Sequence, residues 1–423
     1  MSNIEKAGAM NLSRRKALVG MAGLMAGSPV APGWAELDPG VPLRDVIRIK
    51  TLPEMRTSFD FQPVFVGNLT ASISEYTAHG DGSEFTLRRN RQAFDWVDIV
   101  PTRAPIPESQ VDLSQDLLGA HMRFPIIVGP SSGQNGLHPE GEGGMYKGAT
   151  AANIAMVLTS AAGATIAKLT TATPGGTMWS QHYPLENLTA DARALDGIQS
   201  AGSKCLFITC DEAAAVYERT LLIRNLGGRA TGGGFMPGGN GAAAAAAIAA
   251  AKAAAGGPPV PGSVKYRVSD RFLWYSWQYI DAARKAYKEK LVMKGIVDPE
   301  DARLAIDHGA DAILVSNHGG RSMDYGPSTL EVLPEIMAAV NGRIPVLFDS
   351  GIRRGADIFK ALALGASAVC LGRTARWGLG AYGSSGVQRV AEILQQELIQ
   401  VCAAAGCAKL SDINKSMVKT HFV

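Results

Sequence analysis

Cysteine is scarce in this 423-residue chain, and no two cysteines have the CxxC spacing of a metal site. We expect small buried apolar side chains rather than a disulfide framework at Cys205, Cys210, Cys370, Cys402 and Cys407. Net charge is only +3, and no basic stripe with interleaved aromatic residues supports a nucleic-acid partner. Beyond residue 35, no run of about 18 strongly apolar residues predicts a membrane span. With 46% hydrophobic residues, the composition is that of a globular protein with a sizeable core.

The first 35 residues carry the whole net charge and resemble an export signal. Arg14-Arg15 resembles a twin-arginine motif, an apolar stretch covers residues 17–30, and Gly33-Trp34-Ala35 offers small residues at a cleavage spacing. We therefore predict a twin-arginine signal peptide over 1–35, a mature chain that begins near Glu36, and an exported or periplasmic protein. A disordered tail, an uncleaved anchor and a cytoplasmic location are the alternatives.

Eight short apolar runs recur from about residue 120 onward, and most are followed by a helix-like stretch. The runs are Phe124 to Pro130, Ile154 to Ser160, Thr177 to Tyr183, Cys205 to Asp211, Lys290 to Gly295, Ala312 to Gly319, Pro345 to Gly351 and Ala368 to Arg373. Continuous hydrophobicity indicates parallel strands covered on both faces. We predict an α/β fold with a TIM (β/α)8 barrel over 120–423 after an N-terminal lead-in over 36–119. An open doubly wound sheet is the alternative.

A Gly-, Ala- and Pro-rich stretch follows the fourth predicted strand, over residues 226–264. It contains an alanine-rich run over 242–255, which is too weakly apolar and too short to span a membrane. Loops that follow barrel strands lie on the catalytic face, so this low-complexity loop is a candidate lid. A mobile linker without a function of its own is equally compatible with its composition.

Polar residues cluster at or just beyond the C-terminal ends of the predicted strands. They are Ser131, Ser132, Thr159, Gln181, Tyr183, Thr209, Asp211, Lys294, Ser316, His318, Asp349, Arg353, Gly372 and Arg373. Barrel active sites are assembled at these strand ends, from several strands at once. Helix capping accounts for one or two such residues but not for the whole set.

The segment Ser316-Asn317-His318-Gly319-Gly320-Arg321 places an imidazole and a guanidinium three residues apart after a buried strand. Its two glycines allow the backbone to approach a ligand closely, and we predict His318 as a catalytic acid–base residue. Asp349-Ser350-Gly351 and Leu371-Gly372-Arg373 end the last two strands. Barrels commonly bind phosphate there, through backbone N–H groups and arginine.

At these residues the sequence resembles the FMN-dependent 2-hydroxy-acid oxidase and dehydrogenase family, which includes glycolate oxidase, lactate oxidase and mandelate dehydrogenase. The resemblance runs from about Tyr76 to the C-terminus and is most specific at Lys294-Gly295, Val315 to Arg321 and Phe348 to Arg373. It implies bound FMN, oxidation of a 2-hydroxy acid to a 2-oxo acid and a homotetramer. It also implies a second substrate that accepts electrons, which is a quinone, a cytochrome or oxygen.

The resemblance also implies a role for each matching residue. His318 matches the catalytic base, and Asp211 matches the carboxylate that orients the imidazole. Substrate ligands match Tyr76, Tyr183 and Arg321. Flavin-binding positions match Ser131, Ser132, Thr159, Gln181, Thr209, Lys294 and Ser316, and the ribityl and phosphate positions match Asp349, Gly351, Arg353, Gly372 and Arg373.

Four departures from the family pattern qualify these roles. Gly80-Asp81-Gly82-Ser83 stands where the family usually has Gly-Ala-Glu-Asp, and Arg219 matches the second carboxylate-binding arginine only through a one-residue insertion. Ala161 stands where relatives that use small substrates carry tryptophan, so we expect a substrate larger than glycolate, such as mandelate. Ser132 stands where relatives carry alanine or glycine in ways linked to oxygen access, and with the export signal it favours a dehydrogenase.

Three other functions fit parts of this sequence. A lactate-type oxidase that uses oxygen shares the same residues. A flavin-binding protein that has lost turnover is disfavoured by the complete set of Tyr76, Tyr183, Asp211, His318 and Arg321. An unrelated phosphate-binding barrel, such as an isomerase, remains compatible with Lys294 and His318 as acid and base.

Overall fold

The computed structural model describes residues 49–422 apart from Ala161, Gly163, Glu186, Asn187 and the segment 212–275. The signal peptide predicted over 1–35, the low-complexity loop over 226–264 and the predicted site residue Arg219 lie outside these residues.

Eight parallel strands close into a barrel, each paired with the next along the chain and the last with the first. They are β4 (Ile126–Val128), β5 (Ala155–Leu158), β6 (Met178–His182), β7 (Cys205–Thr209), β8 (Lys290–Ile296), β9 (Ala312–Val315), β10 (Val346–Phe348) and β11 (Ala368–Leu371). The predicted TIM barrel is confirmed. The open doubly wound sheet is excluded because β11 pairs with β4.

The barrel strands are apolar on both faces because each separates two hydrophobic layers. Trp179 and Phe207 stack inside the barrel with ring centroids 5.9 Å apart. Neighbouring residues of the same strands, such as Met178 and Ile208, instead pack outward against the helices. This double burial explains the continuous hydrophobic runs of the sequence.

Twelve α-helices are found in the described parts of the chain. They are α1 (Phe61–Asn68), α2 (Ala71–Ala78), α3 (Phe85–Gln92), α4 (Gln134–Leu137), α5 (Gly141–Ala151), α6 (Ile166–Ala172), α7 (Leu188–Ser200), α8 (Trp277–Ala286), α9 (Pro299–Asp307), α10 (Thr329–Val340), α11 (Gly355–Ala363) and α12 (Arg373–Ala404). None of the helices in these parts is long and apolar enough to cross a membrane. The α12 helix is kinked at Tyr382 and Gly383.

A short hairpin closes the end of the barrel opposite the candidate site. Its strands β2 (Gln115–Leu117) and β3 (Ala120–Met122) pair antiparallel. Leu117, Leu118 and Met122 pack into the interior layer of the barrel. The Gln115 side chain donates to the Ser367 carbonyl, just before β11 begins, so this hairpin lies at the strand N-termini.

The lead-in segment wraps from the hairpin side to the opposite face of the barrel. Its strand β1 (Val97–Ile99) pairs antiparallel with β12 (Val418–Thr420) near the C-terminus. Helices α1 and α2 pack against α12. Through these contacts the lead-in carries Tyr76, on α2, to the C-terminal ends of the barrel strands.

All five cysteines are free, as predicted, and four of them are buried. Cys205 and Cys370 belong to the barrel interior, where burial raises the pKa of each thiol well above its usual value. Cys210 is half-buried and precedes Asp211. The thiols are therefore small apolar core groups rather than reactive nucleophiles.

Candidate active site

The structure gathers the predicted polar residues at one end of the barrel, where the strands terminate. Each lies within a few residues of the C-terminal end of its strand or, like Tyr76 and Arg321, reaches that end from α2 or the loop after β9. Predicted residues Ala161 and Arg219 lie outside the described parts of the chain. The remaining residues form a charged triad, two polar networks along the strand ends, a contact between Tyr76 and Arg321, and a group of arginines near the end of β11.

The charged triad consists of His318, Asp211 and Lys294. His318 Nδ1 lies 2.8 Å from Asp211 Oδ1, and Lys294 Nζ donates to Asp211 Oδ2 at 2.9 Å. The Lys294 and Asp211 side chains are only 4% and 6% exposed, whereas that of His318 is 24% exposed. The carboxylate is therefore shared by two donors in a site that excludes most water.

Burial alone would raise the pKa of the Asp211 carboxyl, but the charge of Lys294 and the hydrogen bonds from His318 and Lys294 outweigh it and hold the pKa well below its usual range. Asp211 therefore stays ionised across the whole range of working pH. The Lys294 ammonium also lies 3.2 Å from His318 Nδ1, but the carboxylate contact is shorter, at 2.8 Å. This contact favours the tautomer of a neutral His318 with its proton on Nδ1, which leaves Nε2 as the basic nitrogen.

Two backbone features set this triad in place. His318, Gly319 and Gly320 have φ of +57°, +69° and +77°, a left-handed run that glycine tolerates and histidine rarely adopts. Gly295 has φ of +108°, and a Cβ there would lie 2.5 Å from Asp211 Cβ. Glycine at 295 therefore allows β8 to pass close to Asp211 and to present Lys294 to it.

A buried polar network links the ends of β5, β6 and β7. Thr159 Oγ1 donates to Gln181 Oε1 at 3.0 Å, and Gln181 Nε2 donates to Thr209 Oγ1 at 2.9 Å. The Ser160 amide donates to the same Gln181 oxygen. The network fixes the direction of the Gln181 amide. Tyr183, one residue beyond β6, is half-buried at the same end of the barrel.

A second network follows β9 and β10 around Asp349. Ser316 Oγ donates to Asp349 Oδ2 at 3.0 Å, and Ser350 Oγ donates to Oδ1 at 2.7 Å. Burial raises the pKa of the Asp349 carboxyl, although both hydroxyls and Lys294 oppose the shift. Ser350 lies inside the predicted segment Asp349-Ser350-Gly351, although it was given no role of its own, and its φ of +81° is unusual for a residue with a side chain.

Tyr76 and Arg321 meet above the strand ends. Arg321 Nη1 donates to the Tyr76 carbonyl at 2.6 Å, and its guanidinium carbon lies 4.7 Å from the centroid of the Tyr76 ring. Tyr76 Oη lies 3.1 Å from Ser132 Oγ. The α2 helix, the loop after β4 and the loop after β9 thus meet at one tyrosine.

Known proteins match this chain in both sequence and structure. A model of the family described as FMN-dependent dehydrogenase matches residues 67–420. Glycolate oxidase 3 of Arabidopsis thaliana is 31% identical over 380 residues, which are 87% of this chain and 97% of that protein. The L-lactate oxidase of Nostoc sp. is 33% identical and covers 85% of this chain and 97% of its own length. The crystal structure of a mandelate oxidase superposes with a TM-score of 0.73 and 30% identity, over 87% of this chain and 99% of that one.

The chain belongs to the FMN-dependent dehydrogenase family. It is a flavoenzyme that binds FMN and oxidises 2-hydroxy acids. The resemblance found in the sequence is therefore confirmed at the level of family, fold, cofactor and reaction class.

The end of β11 suits the phosphate of this flavoenzyme's cofactor. Gly372 is the N-terminal cap of α12, and a Cβ at this position would have no described atom within 4 Å apart from those of its chain neighbours. Helix N-termini bind phosphate through free backbone N–H groups. An open space beside such a terminus is a cradle that a side chain would fill.

Arginines around this cradle supply the positive charge that a phosphate requires. Arg373 donates to three backbone carbonyls, those of Thr77, Gly319 and His79. Burial lowers the pKa of Arg373 well below its usual value, and the charges of Arg321 and Arg353 lower it further. Because like charges repel, an anion bound among these guanidiniums stabilises the site.

The structure also adds one residue that sequence reasoning missed in this flavoenzyme. Arg376, in the first turn of α12, is 5% exposed and donates to the Ser132 carbonyl at 2.6 Å. It follows the Gly372-Arg373 motif by only three residues, a helical spacing that places it near the same helix terminus. The sequence signal that could have identified it is a second arginine in the first turn of the helix that follows the Gly372-Arg373 motif.

Proposed function

We propose that the chain is a dehydrogenase that oxidises medium-sized or aromatic 2-hydroxy acids, such as mandelate, with His318 as the catalytic base. The observation that carries the proposal is the contact between His318 Nδ1 and the ionised Asp211. FMN, when bound, accepts the two electrons that leave the substrate.

The substrate carboxylate binds to Arg321, whose planar guanidinium matches it in a bidentate manner, and to the Tyr76 hydroxyl. These two groups hold the 2-carbon close to His318. Tyr183 lies near the reacting hydroxyl. Binding at both ends of the substrate turns a bimolecular encounter into an oriented reaction.

His318 Nε2 takes one proton as the 2-hydroxy acid becomes a 2-oxo acid. If this is the hydroxyl proton, the α-hydrogen leaves with the two electrons as hydride. If it is the α-proton, the two electrons leave afterwards and the hydroxyl proton is released. Asp211 holds the Nδ1–H and stabilises the imidazolium that forms. Lys294 would place a cation beside bound FMN and would stabilise the negative charge of the reduced flavin. Asp349 would bind the ribityl chain, and Gly351, Arg353, Gly372 and Arg373 would bind the phosphate.

Substrate size is inferred from Ala161. Relatives with small substrates carry tryptophan at the matching position, and alanine leaves room for a larger side chain, with each buried methylene contributing about 0.8 kcal/mol. The mandelate oxidases among the similar structures support an aromatic substrate.

The electron acceptor is inferred to be a quinone or a cytochrome, on the basis of Ser132 and the export signal. The second candidate is oxygen, which is favoured by the names of the relatives, since those similar to this chain include glycolate oxidase and L-lactate oxidase. Export itself is a proposal that rests on Arg14 and Arg15. Replacing both with lysine is expected to retain the protein in the cytoplasm.

Steady-state assays test substrate and acceptor together. Mandelate, 2-hydroxyoctanoate, lactate and glycolate are each assayed with oxygen or with a quinone-like dye. A higher kcat/KM for mandelate than for glycolate is expected, and Ala161→Trp should reverse that order. A wild-type preference for glycolate would refute the size argument, and faster reoxidation of the flavin by oxygen than by the dye would favour an oxidase.

A further inference from the structure

Arg376 is a buried cation whose polar contacts all lead to the proposed carboxylate site. Its Nε donates to Thr77 Oγ1 at 3.0 Å and its Nη1 donates to the Ser132 carbonyl at 2.6 Å. Its guanidinium carbon also lies 5.6 Å from the centroid of the Tyr76 ring. One side chain of α12 therefore connects α2 with the loop after β4, two segments that are far apart in sequence.

These contacts converge on Tyr76 by two routes. The first is direct, since the guanidinium lies against the ring. The second route passes through Ser132. Arg376 donates to the Ser132 carbonyl, and the Ser132 hydroxyl lies 3.1 Å from Tyr76 Oη. Arg321 contacts the same ring at 4.7 Å. The guanidiniums of Arg321 and Arg376 thus both contact the Tyr76 ring.

The charge of Arg376 adds to this geometry. Both acceptors that it bonds are neutral, so this guanidinium bonds no carboxylate among the described residues. Burial lowers the pKa of Arg376 to about 10, with a further contribution from Arg321, while Tyr76 and Glu142 oppose the shift. At neutral pH the group still carries its proton. A substrate carboxylate at Tyr76 and Arg321 would therefore have a second cation nearby, the buried guanidinium of Arg376.

We propose that Arg376 is a positioning residue for substrate binding: it fixes Tyr76 and Ser132 and adds positive charge to the carboxylate site. The inference rests on the proposed function, because Tyr76 and Arg321 define that site. Lysine at position 376 would keep the positive charge. Its single ammonium group would not reproduce the two hydrogen bonds that the planar guanidinium donates to Thr77 and to Ser132.

Three variants separate positioning from a merely structural role. Arg376→Met removes charge and donors, and Arg376→Lys keeps the charge alone. Arg89→Met is the matched control, because Arg89 also donates through Nε and a terminal nitrogen, in its case to Glu331 away from Tyr76. For each holoenzyme, the FMN dissociation constant is measured by flavin fluorescence. Binding of benzoylformate and pyruvate, the 2-oxo acids formed from mandelate and lactate, is measured from the flavin absorbance.

Arg376→Met is expected to weaken binding of the 2-oxo acids and to raise the KM for mandelate by about 10-fold or more. The maximal rate of anaerobic flavin reduction and the FMN dissociation constant should change much less. Arg376→Lys should be intermediate, and it replaces the methionine variant if that one does not fold. Carboxylate binding at the wild-type level in both variants, or a loss equal to that in Arg89→Met, would overturn the inference. If the wild-type flavin is not bleached by any 2-hydroxy acid, the proposed function fails, and the 2-oxo acid titrations still decide the role of Arg376.

Discussion

His318 Nδ1 and Lys294 Nζ bind the same carboxylate, that of Asp211, at 2.8 Å and 2.9 Å. One buried anion therefore orients the proposed base and compensates the charge of Lys294, whose side chain is only 4% exposed. The two functions are linked, since removal of the carboxylate charge affects both the imidazole and the lysine.

Asp211→Asn is expected to lower both stability and turnover. The amide keeps the shape of the side chain but leaves Lys294 buried without its ion-pair partner, and breaking such a pair costs about 3–5 kcal/mol. Turnover should fall less than in His318→Gln, because the imidazole is misoriented rather than removed. Urea unfolding and steady-state assays measure the two effects. Wild-type stability in this variant would show that the ion pair contributes little.

The stability of the protein should depend on pH through Asp211. Its pKa is lowered in the folded state from an ordinary value near 3.8, so the unfolded chain binds the proton more tightly. The stabilisation is therefore fully present above about pH 5 and is lost as pH falls through 4 toward the lower folded value. The free energy of unfolding, measured from pH 3 to 7, should decline more steeply for wild type than for Asp211→Asn. Parallel curves for the two proteins would contradict this assignment.

Gly372→Ala should weaken FMN binding without destabilising the apoprotein. A Cβ at 372 meets no described protein atom within 4 Å, so the folded chain has room for it. A phosphate in the cradle would meet the methyl group, and overpacking of this size costs about 1–3 kcal/mol, or about 5- to 150-fold in affinity. Fluorescence titration with FMN and thermal unfolding of the apoprotein test the two parts.

Gly351→Ala is the contrasting variant for this test. A Cβ at 351 would lie 2.3 Å from the Asn90 carbonyl oxygen, and the backbone φ there is +92°. It should therefore lower the stability of the apoprotein itself. Unchanged FMN affinity in Gly372→Ala would place the phosphate elsewhere.

Much of the barrel was predictable from the sequence because double burial makes its strands continuously apolar. The predicted run Ala312 to Gly319 contains strand β9, which ends earlier, at Val315. The residues between Val315 and Gly319 lie beyond the strand and belong to the candidate active site. The hydrophobic pattern of the sequence does not show where the hydrogen bonds between neighbouring strands end. Conversely, β8 runs one residue past its predicted end, to Ile296.

The role of Arg376 was not predictable in the same way. Its partners Thr77 and Ser132 lie 299 and 244 positions away in sequence, and no local pattern links them. The α2 helix reaches the strand ends only because the lead-in packs on α12. Such contacts depend on how distant segments of the chain pack together in the complete fold. Residues at strand ends, in contrast, are placed by the barrel alone.

Anaerobic stopped-flow reduction of the bound flavin tests the central claim most directly. Wild-type holoenzyme and His318→Gln are mixed with mandelate and with lactate, and the loss of flavin absorbance is followed in a single turnover. FMN content should be equal in the two proteins, because His318 is proposed to act on the substrate. The account predicts rapid bleaching of wild type and a rate about 10²- to 10⁴-fold lower in His318→Gln. Equal rates in the two proteins would contradict the assignment of His318 as the base.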